Sequence, residues 1–301
     1  MLKGCPENSE RLLEEMRHLP LGFVPWHFMV SCAQERKLHA RMGYTVCETV
    51  PAGSYCQFNR YVCIASPELV FLQLAKKLSI VQLIKLGDEL CGTYMPVVDG
   101  QGKALKRKAV LTNVKQLEAF LRLARGMNGV KNARRALAFL VDGSASVKET
   151  ELEMTACLPM RLGGYSMRKA FMNYRVDFDE TAKQIADRSY ARCDLCWPDV
   201  KLDVEYDSRE HHDGYESVAS DKARANALRH MGYEVVFVTS EQFANMRKCD
   251  ALMHDIAKTI GHRIRDRKFE VPPKRIELHR ELLASSSHPV FKTRQMGHEE
   301  F

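Results

Sequence analysis

No run of about 18 consecutive apolar residues occurs in this 301-residue chain, so a membrane-spanning helix is not expected. The first residues, MLKGCPENSERLLEEM, are polar and acidic where a secretory signal would be apolar, and a cytoplasmic location is expected. Neither the Gly-x-x-x-x-Gly-Lys loop that cradles phosphates nor a Gly-x-Gly-x-x-Gly turn is present, which argues against a nucleotide cofactor. The Gly-x-Ser-x-Gly elbow that exposes a serine nucleophile is missing as well. No internal repeat or low-complexity tract is found, so solenoid and fibrous architectures are set aside.

Hydrophobic residues make up 45% and charged residues 28% of the chain, a globular balance, and the length suffices for two domains with sizeable cores. The ten cysteines lack the spacing of a small disulfide framework, and in the cytosol they read as reduced core thiols. A net charge of +7 suits a polyanionic partner.

Residues 7–19 have helical spacing, and Pro20 with Gly22 ends that helix. Short apolar runs at 24–31, 44–48, 55–58 and 61–65 predict a small sheet of short strands. Ser66-Pro67-Glu68 predicts a capped helix over 67–77, since serine caps, proline suits the first turn and an acid favours the positive helix end. A second helix is predicted over 80–90, stopped by Gly92, and 95–103 (MPVVDGQGK) reads as a loop. From 101 to 135 the chain carries ten Lys or Arg against one acid, Glu118, with helical apolar spacing. Clustered cations gain counterion-release free energy on a polyanion, so Lys103, Lys106, Arg107 and Lys108 are candidate DNA-backbone contacts. The same cations can also form a solvated helix face beside an acidic patch. This segment divides the chain into a mixed α/β N-terminal domain over 1–135, a second domain over 136–283 and a flexible tail over 284–301.

In the second domain Ser146 and Glu149 have the spacing of a capping box. An extended segment follows over 171–178. Later, 213–220 reads as a polar loop, 221–231 as a helix ended by Gly232, and 234–239 (EVVFVT) as a buried, nearly all-apolar strand. Helix, glycine and strand after a hairpin indicate a crossover to a parallel strand. The fold class expected is α/β, with an α+β N-terminal part.

The chemistry concentrates in residues 192–212, RCDLCWPDVKLDVEYDSREHH, which read as two strands joined at Trp197-Pro198-Asp199. In the second strand Leu202, Val204 and Tyr206 alternate with Asp203, Glu205 and Asp207, which places three acids on one face. Asp194 is on the neighbouring strand, and His211 and His212 follow at once. Crowded like charges repel, so such a face calls for a cation. A carboxylate on one strand and Glu-x-Asp on the next suit Mg²⁺ (or Mn²⁺), an arrangement that serves phosphodiester hydrolysis. Asp194 and Glu205 are the candidate ligands, with Glu149 as an outer ligand. Asp207 is either a second-metal ligand or the orienter of a histidine. His211 is the candidate proton carrier, with His212 behind it. Arg192 and Arg224 are candidate phosphate contacts.

Other readings stay open at this level. The acids can mark a charged edge strand facing solvent, in a module that binds protein. Cys193-x-x-Cys196 beside the two histidines offers a zinc reading, although within a strand the two sulfurs would point to opposite faces.

The segments CDLCWPDVKLDVEYDSREHH and SDKARANALRHMGYEVVFVT together resemble the very-short-patch-repair-endonuclease-like branch of the PD-(D/E)XK nuclease superfamily. Asp194, Glu205, Asp207, His211, Asp221, Arg224, Leu228 and Gly232-Tyr233 stand at the places of that branch's motif, and Glu149 stands where its first helix often carries a glutamate. Ser208 replaces the usual glycine, and Asp207 occupies the place of the superfamily's catalytic lysine. The resemblance covers roughly residues 144–245. It implies a restriction-endonuclease-like αβββαβ core with a mixed sheet, a Mg²⁺-dependent DNA endonuclease activity, and proton transfer by His211. More weakly, CIASPELVFLQLAKKLSIVQLIKLGDELCG is similar to the helical region of AbiEi-type abortive-infection antitoxins, some of which carry such a nuclease-like domain. That similarity implies DNA or a partner protein as the N-terminal ligand, and a non-catalytic, antitoxin-like DNA-binding regulator as the alternative function.

Overall fold

A computed structural model describes residues 26–30, 32–35, 42–46, 49–57, 63–98, 104–107, 109–207, 215–265 and 271–284. The helix expected over 7–19 and the tail beyond 284 lie outside them. The chain forms two compact units that interleave in sequence. One comprises Met1–Lys77 and Lys115–Arg134, the other Leu78–Val114 and Arg135–Phe301.

In the first unit β1 (Trp26–Val30) pairs in parallel with β2 (Met42–Val46), while β3 (Tyr55–Gln57) and β4 (Cys63–Ala65) form a separate antiparallel pair. The short strands are where the apolar runs placed them, but among the described residues they do not join into one sheet. Helix α1 (Pro67–Leu74) starts as the sequence predicts: the Ser66 hydroxyl accepts from Leu69 N, and Pro67 occupies the first turn. In the second unit α2 (Ile80–Cys91) is closed by a full capping box from Ser79 and Gln82. The segment read as a loop instead supplies β5 (Tyr94–Val98), which pairs with β6 (Ala104–Lys106) around a register shift. Back in the first unit, α3 (Val114–Leu123) and most of α4 (Val130–Leu137) follow, and they bury Leu117, Phe120, Leu121 and Ala133. Gly129 has φ +91, and a Cβ there would meet Leu72 O at 2.9 Å, so only glycine permits this close approach of α4 to α1.

The second unit continues with α5 (Val147–Cys157), β7 (Phe171–Asp177), α6 (Glu180–Ala186), β8 (Tyr190–Trp197), β9 (Leu202–Asp207), α7 (Tyr215–His230), β10 (Glu234–Thr239), α8 (Ser240–Ala244), α9 (Met246–Thr259) and α10 (Pro273–Ala284). The four strands form one mixed sheet in the order β10-β9-β8-β7, antiparallel except for β9 and β10. With α6 as an insertion, the element order is αβββαβ, and the α/β fold class is as expected. The crossover from β9 through α7 to β10 is parallel, as the glycine-terminated helix signalled. Helix α7 begins six residues earlier than its apolar pattern suggested, and α6, capped by Asp179 onto Ala182 N, was not anticipated. β10 is only partly buried despite its apolar sequence, because it lies at the edge of the sheet.

One face of the sheet (Leu195, Trp197, Leu202, Val204, Val238) packs on Leu152 and Ala156 of α5 and on Met253 and Ile256 of α9. The other (Val176, Ala191, Cys193, Cys196) packs on Ala182 and Ala186 of α6 and on Ala227 and Leu228 of α7. Residues 78–114, expected with the N-terminal domain, belong to this unit through polar bonds to α5 and its approach. Lys85 Nζ reaches Glu151 at 2.6 Å, Asp88 Oδ1 accepts from Val141 N at 2.8 Å, and the Tyr94 and Thr150 hydroxyls are 3.0 Å apart. Gly163 (φ +94) lets α10 dock, since a Cβ there would sit 2.3 Å from Lys274 O. Among the described residues no helix is long and apolar enough to cross a membrane.

Helix α5 is buried nearly all round and carries three acids, Glu149, Glu151 and Glu153. Lys85 and Lys148 neutralise Glu151. Both carboxyl oxygens of Glu153 and Oδ2 of Asp88 lack a hydrogen-bond partner among the described residues. Burial raises the Glu153 carboxyl to about 7, against the pull of the neighbouring Cys157 thiol and of Lys169. Burial, and then the Glu153 charge, also raise Asp88. A raised acid pKa means that the folded state holds its proton more tightly than the unfolded chain. Stability is then greatest below the ordinary glutamate value and declines as pH rises from about 4.5 towards 7. For a shift of this size the Glu153 contribution is on the order of 3 kcal/mol. Glu153→Gln is expected to flatten the pH dependence of urea denaturation between pH 5 and 8 and to stabilise the protein at pH 8. An unchanged pH profile would show that Glu153 is not the titrating group.

Candidate functional site

The site is built where β8 and β9 separate. Their ladder pairs Trp197 with Leu202, Cys196 with Asp203 and Leu195 with Val204. Beyond that point Tyr206 N donates to Asp194 Oδ2 at 3.0 Å, so a side chain takes the place of a backbone acceptor. On the other side of β8, Asn173 adopts φ +48, in the left-handed region that asparagine tolerates better than most residues. The strand alternation slips at Asp194. Cys193 and Cys196 therefore share one buried cluster rather than pointing to opposite faces. The hydrogen bond with Cys196, and then burial, raise the Cys193 thiol, so Cys193 is a protonated core thiol.

Glu205, at 5% exposure, is gripped by Arg224 of α7 in a fork, with Nη1–Oε1 at 2.6 Å and Nη2–Oε2 at 3.1 Å. Arg224 also donates to Arg192 O at 3.2 Å and lies 3.8 Å from Asp221 Oδ1. Two parallel charge-assisted bonds are the strongest geometry available to a guanidinium and a carboxylate. Asp203 is fully buried, and neither of its oxygens has a hydrogen-bond partner among the described residues. Burial, followed by the Glu205 charge, pushes it up to about 12, so Asp203 is a neutral carboxylic acid. β9 is an interior strand, and its acids are largely buried, which overturns the reading of a charged edge strand.

Glu149 comes from the first turn of α5. Its Oε2 accepts from Ala145 N at 2.9 Å and from Asn173 Nδ2 at 2.7 Å. The expected capping box is thus half formed. The Ser146 hydroxyl accepts from Glu149 N, but the glutamate side chain reaches one residue further back. Burial raises Asp194 well above the ordinary carboxylate range, and the Glu205 and Glu149 charges raise it further. Burial also raises Glu149, against the hydrogen bonds from Ala145, Asn173 and Ser146 and with a push from Glu205. Three of the carboxylates singled out in the sequence therefore feel one another across α5, β8 and β9.

The remaining expected residues fall elsewhere. Asp207 lines an open groove of about 670 Å³ along α7, together with Asp221, Lys222, Asn226, Arg229 and Phe237. His211, His212, Lys103 and Lys108 lie outside the described residues, as does the side chain of Lys106. Arg107 is engaged within its own unit, donating to Glu89 O at 2.8 Å and lying 3.6 Å from its carboxylate. Arg192 is exposed beside Tyr190. Asn173 and Asp203 were not assigned roles from sequence. A left-handed backbone and a buried acid without a partner have no signature there.

The donor chemistry suits a hard divalent cation, because buried carboxylates that destabilise one another are relieved by positive charge. Among the described residues Asp194 Oδ1 and Glu149 Oε1 accept no hydrogen bond, whereas both oxygens of Glu205 are held by Arg224. No three His, Cys, Asp or Glu side chains among the described residues are placed to hold a metal ion together. No protein-family model, curated protein or solved structure matches the chain significantly.

Removing one partner of a buried ion pair strands the other, at a cost of about 3–5 kcal/mol. Arg224→Met is expected to destabilise the protein to that extent in chemical denaturation. Arg224→Met combined with Glu205→Met should recover more than half of the loss. A small effect of Arg224→Met alone would mean that Glu205 is not dependent on it.

Proposed function

We propose that the protein is a metal-dependent DNA endonuclease that hydrolyses phosphodiester bonds, in cytoplasmic DNA repair or phage defence. The observation that supports this reading best is the gathering of Asp194, Glu205 and Glu149 at the opening of β8 and β9, on an αβββαβ framework. Asp194, Glu149 and, on release from Arg224, Glu205 are the residues that would hold Mg²⁺ or Mn²⁺. A bound divalent ion supplies polarisation of the phosphoryl oxygen and a bound water of lowered pKa. The chain itself orients this set. Tyr206 N–H fixes Asp194, while Asn173 Nδ2 and Ala145 N–H fix Glu149. His211 is assigned proton transfer to or from the reacting oxygens. Lys103, Lys106, Lys108 and Arg192, with the exposed Lys115, Arg122 and Arg125 of the other unit, suit phosphate contacts on DNA. The N-terminal part is assigned to contacts with DNA or a partner protein.

A second reading has its own support. The Arg224 fork already neutralises Glu205, as it would in an antitoxin-like regulator that binds DNA on a degenerate nuclease fold. Plasmid nicking in Mg²⁺ or Mn²⁺ separates the two. Wild type is expected to nick, and Asp194→Asn and Glu205→Gln to lose about 100-fold or more, the usual scale for removing a group that stabilises developing charge. Equal nicking by the variants overturns the site assignment, and binding without nicking by any of the proteins favours the regulator.

A further inference from the structure

At the exposed end of the β7–β8 pair, Arg175 stands directly across the ladder from Arg192, and Asp177 across from Tyr190. Like charges placed opposite each other destabilise a sheet. Here the two guanidiniums are held at one aromatic ring: Arg175 Cζ lies 4.2 Å from the centroid of Tyr190, and Arg192 Cζ 5.9 Å from it. Asp177 neutralises Arg175 at 2.7 Å, but no carboxylate among the described residues lies within ion-pair distance of Arg192. All four side chains are exposed, and Tyr190 is 37% accessible. The quartet therefore carries a net positive charge on an exposed surface, fixed before any ligand arrives.

Its position gives the surface a use. Arg192 precedes Asp194 by two residues on β8, and Arg175 follows Asn173, the partner of Glu149, by two on β7. Two strand residues span roughly 7 Å. We propose that Arg175, Tyr190 and Arg192 form a phosphate clamp for the DNA strand being cut, which seats a phosphate next to the one at Asp194. This rests on the nuclease reading and adds the residues that set the strand's path. The arginines supply planar, charge-assisted donors for phosphate oxygens. Tyr190 is a positioning residue: its ring holds both guanidiniums side by side by cation–π attraction. A phosphate bridging them removes the cross-strand repulsion, so the strain of the free surface is relieved on binding. Asp177 holds Arg175 in place and leaves the clamp's net charge at the arginine side.

The test is fluorescence anisotropy of labelled single-stranded and duplex oligonucleotides with the full chain in EDTA, where binding is read without cleavage. Arg175→Gln with Arg192→Gln is expected to weaken binding about tenfold at low salt and to reduce the slope of log K against log salt by about 0.7–0.9, one phosphate's worth. Tyr190→Phe should bind as wild type and Tyr190→Leu more weakly, with melting temperatures unchanged. If wild type binds DNA and the double arginine variant matches its affinity and slope, the clamp is wrong and the nuclease reading stands. If Tyr190→Leu binds as wild type, the ring has no positioning role. Wild type that binds neither oligonucleotide overturns both.

Discussion

A guanidinium and a carboxylate that leave water together must satisfy each other, and the Arg224–Glu205 fork imposes this condition on the second unit. Glu205 is on an interior strand and Arg224 on the crossover helix, so the pair fixes both the rotation and the height of α7 over the sheet. Ala227 and Leu228, one turn further along, are thereby placed on the Cys193 and Cys196 surface. The same fork joins Arg192 through its carbonyl, which ties the helix to β8 just before the ladder opens. In the same region Asp203 is fully buried and neutral, while Asp194 feels the charge of Glu149.

Helix α5 shows how strongly surroundings differentiate one residue type. Glu149, Glu151 and Glu153 lie within two turns, yet each has a different state. Glu151 is paired with Lys85 and Lys148. Glu149 is held by an amide and a backbone N–H and senses the charges of the site. Glu153 is buried against Asp88 with no donor for either oxygen. Burying a carboxyl group without a partner is costly, so one helix links the interior of the unit to the electrostatics of its open end.

Much of the fold was legible because local chemistry sets it. Ser66, Pro67 and Gly92 mark helix ends through bonds made within a few residues, and the helices begin and stop there. EVVFVT is a strand wherever it is placed, and a glycine-ended helix before it leads to a parallel partner. The loop expected at 95–103 failed for the converse reason. β5 is a strand by pairing with β6, a relation that no property of residues 94–98 expresses alone. The burial of EVVFVT was overestimated because apolarity cannot tell an edge strand from a central one.

The sequence by itself determined the residue types and their spacing: acids two apart on one strand, an acid on the next, a glutamate in a first helical turn and an arginine on the following helix. Periodicity and capping are properties of neighbours in the chain, and these features survive any arrangement of the elements. Only the tertiary structure decided which acid is neutral and which is gripped by Arg224. Those states depend on desolvation and on charges a few ångströms away, contributed by residues as distant in sequence as Glu149 and Arg224. It also set Arg175 opposite Arg192, a pairing fixed by strand register and invisible along the chain.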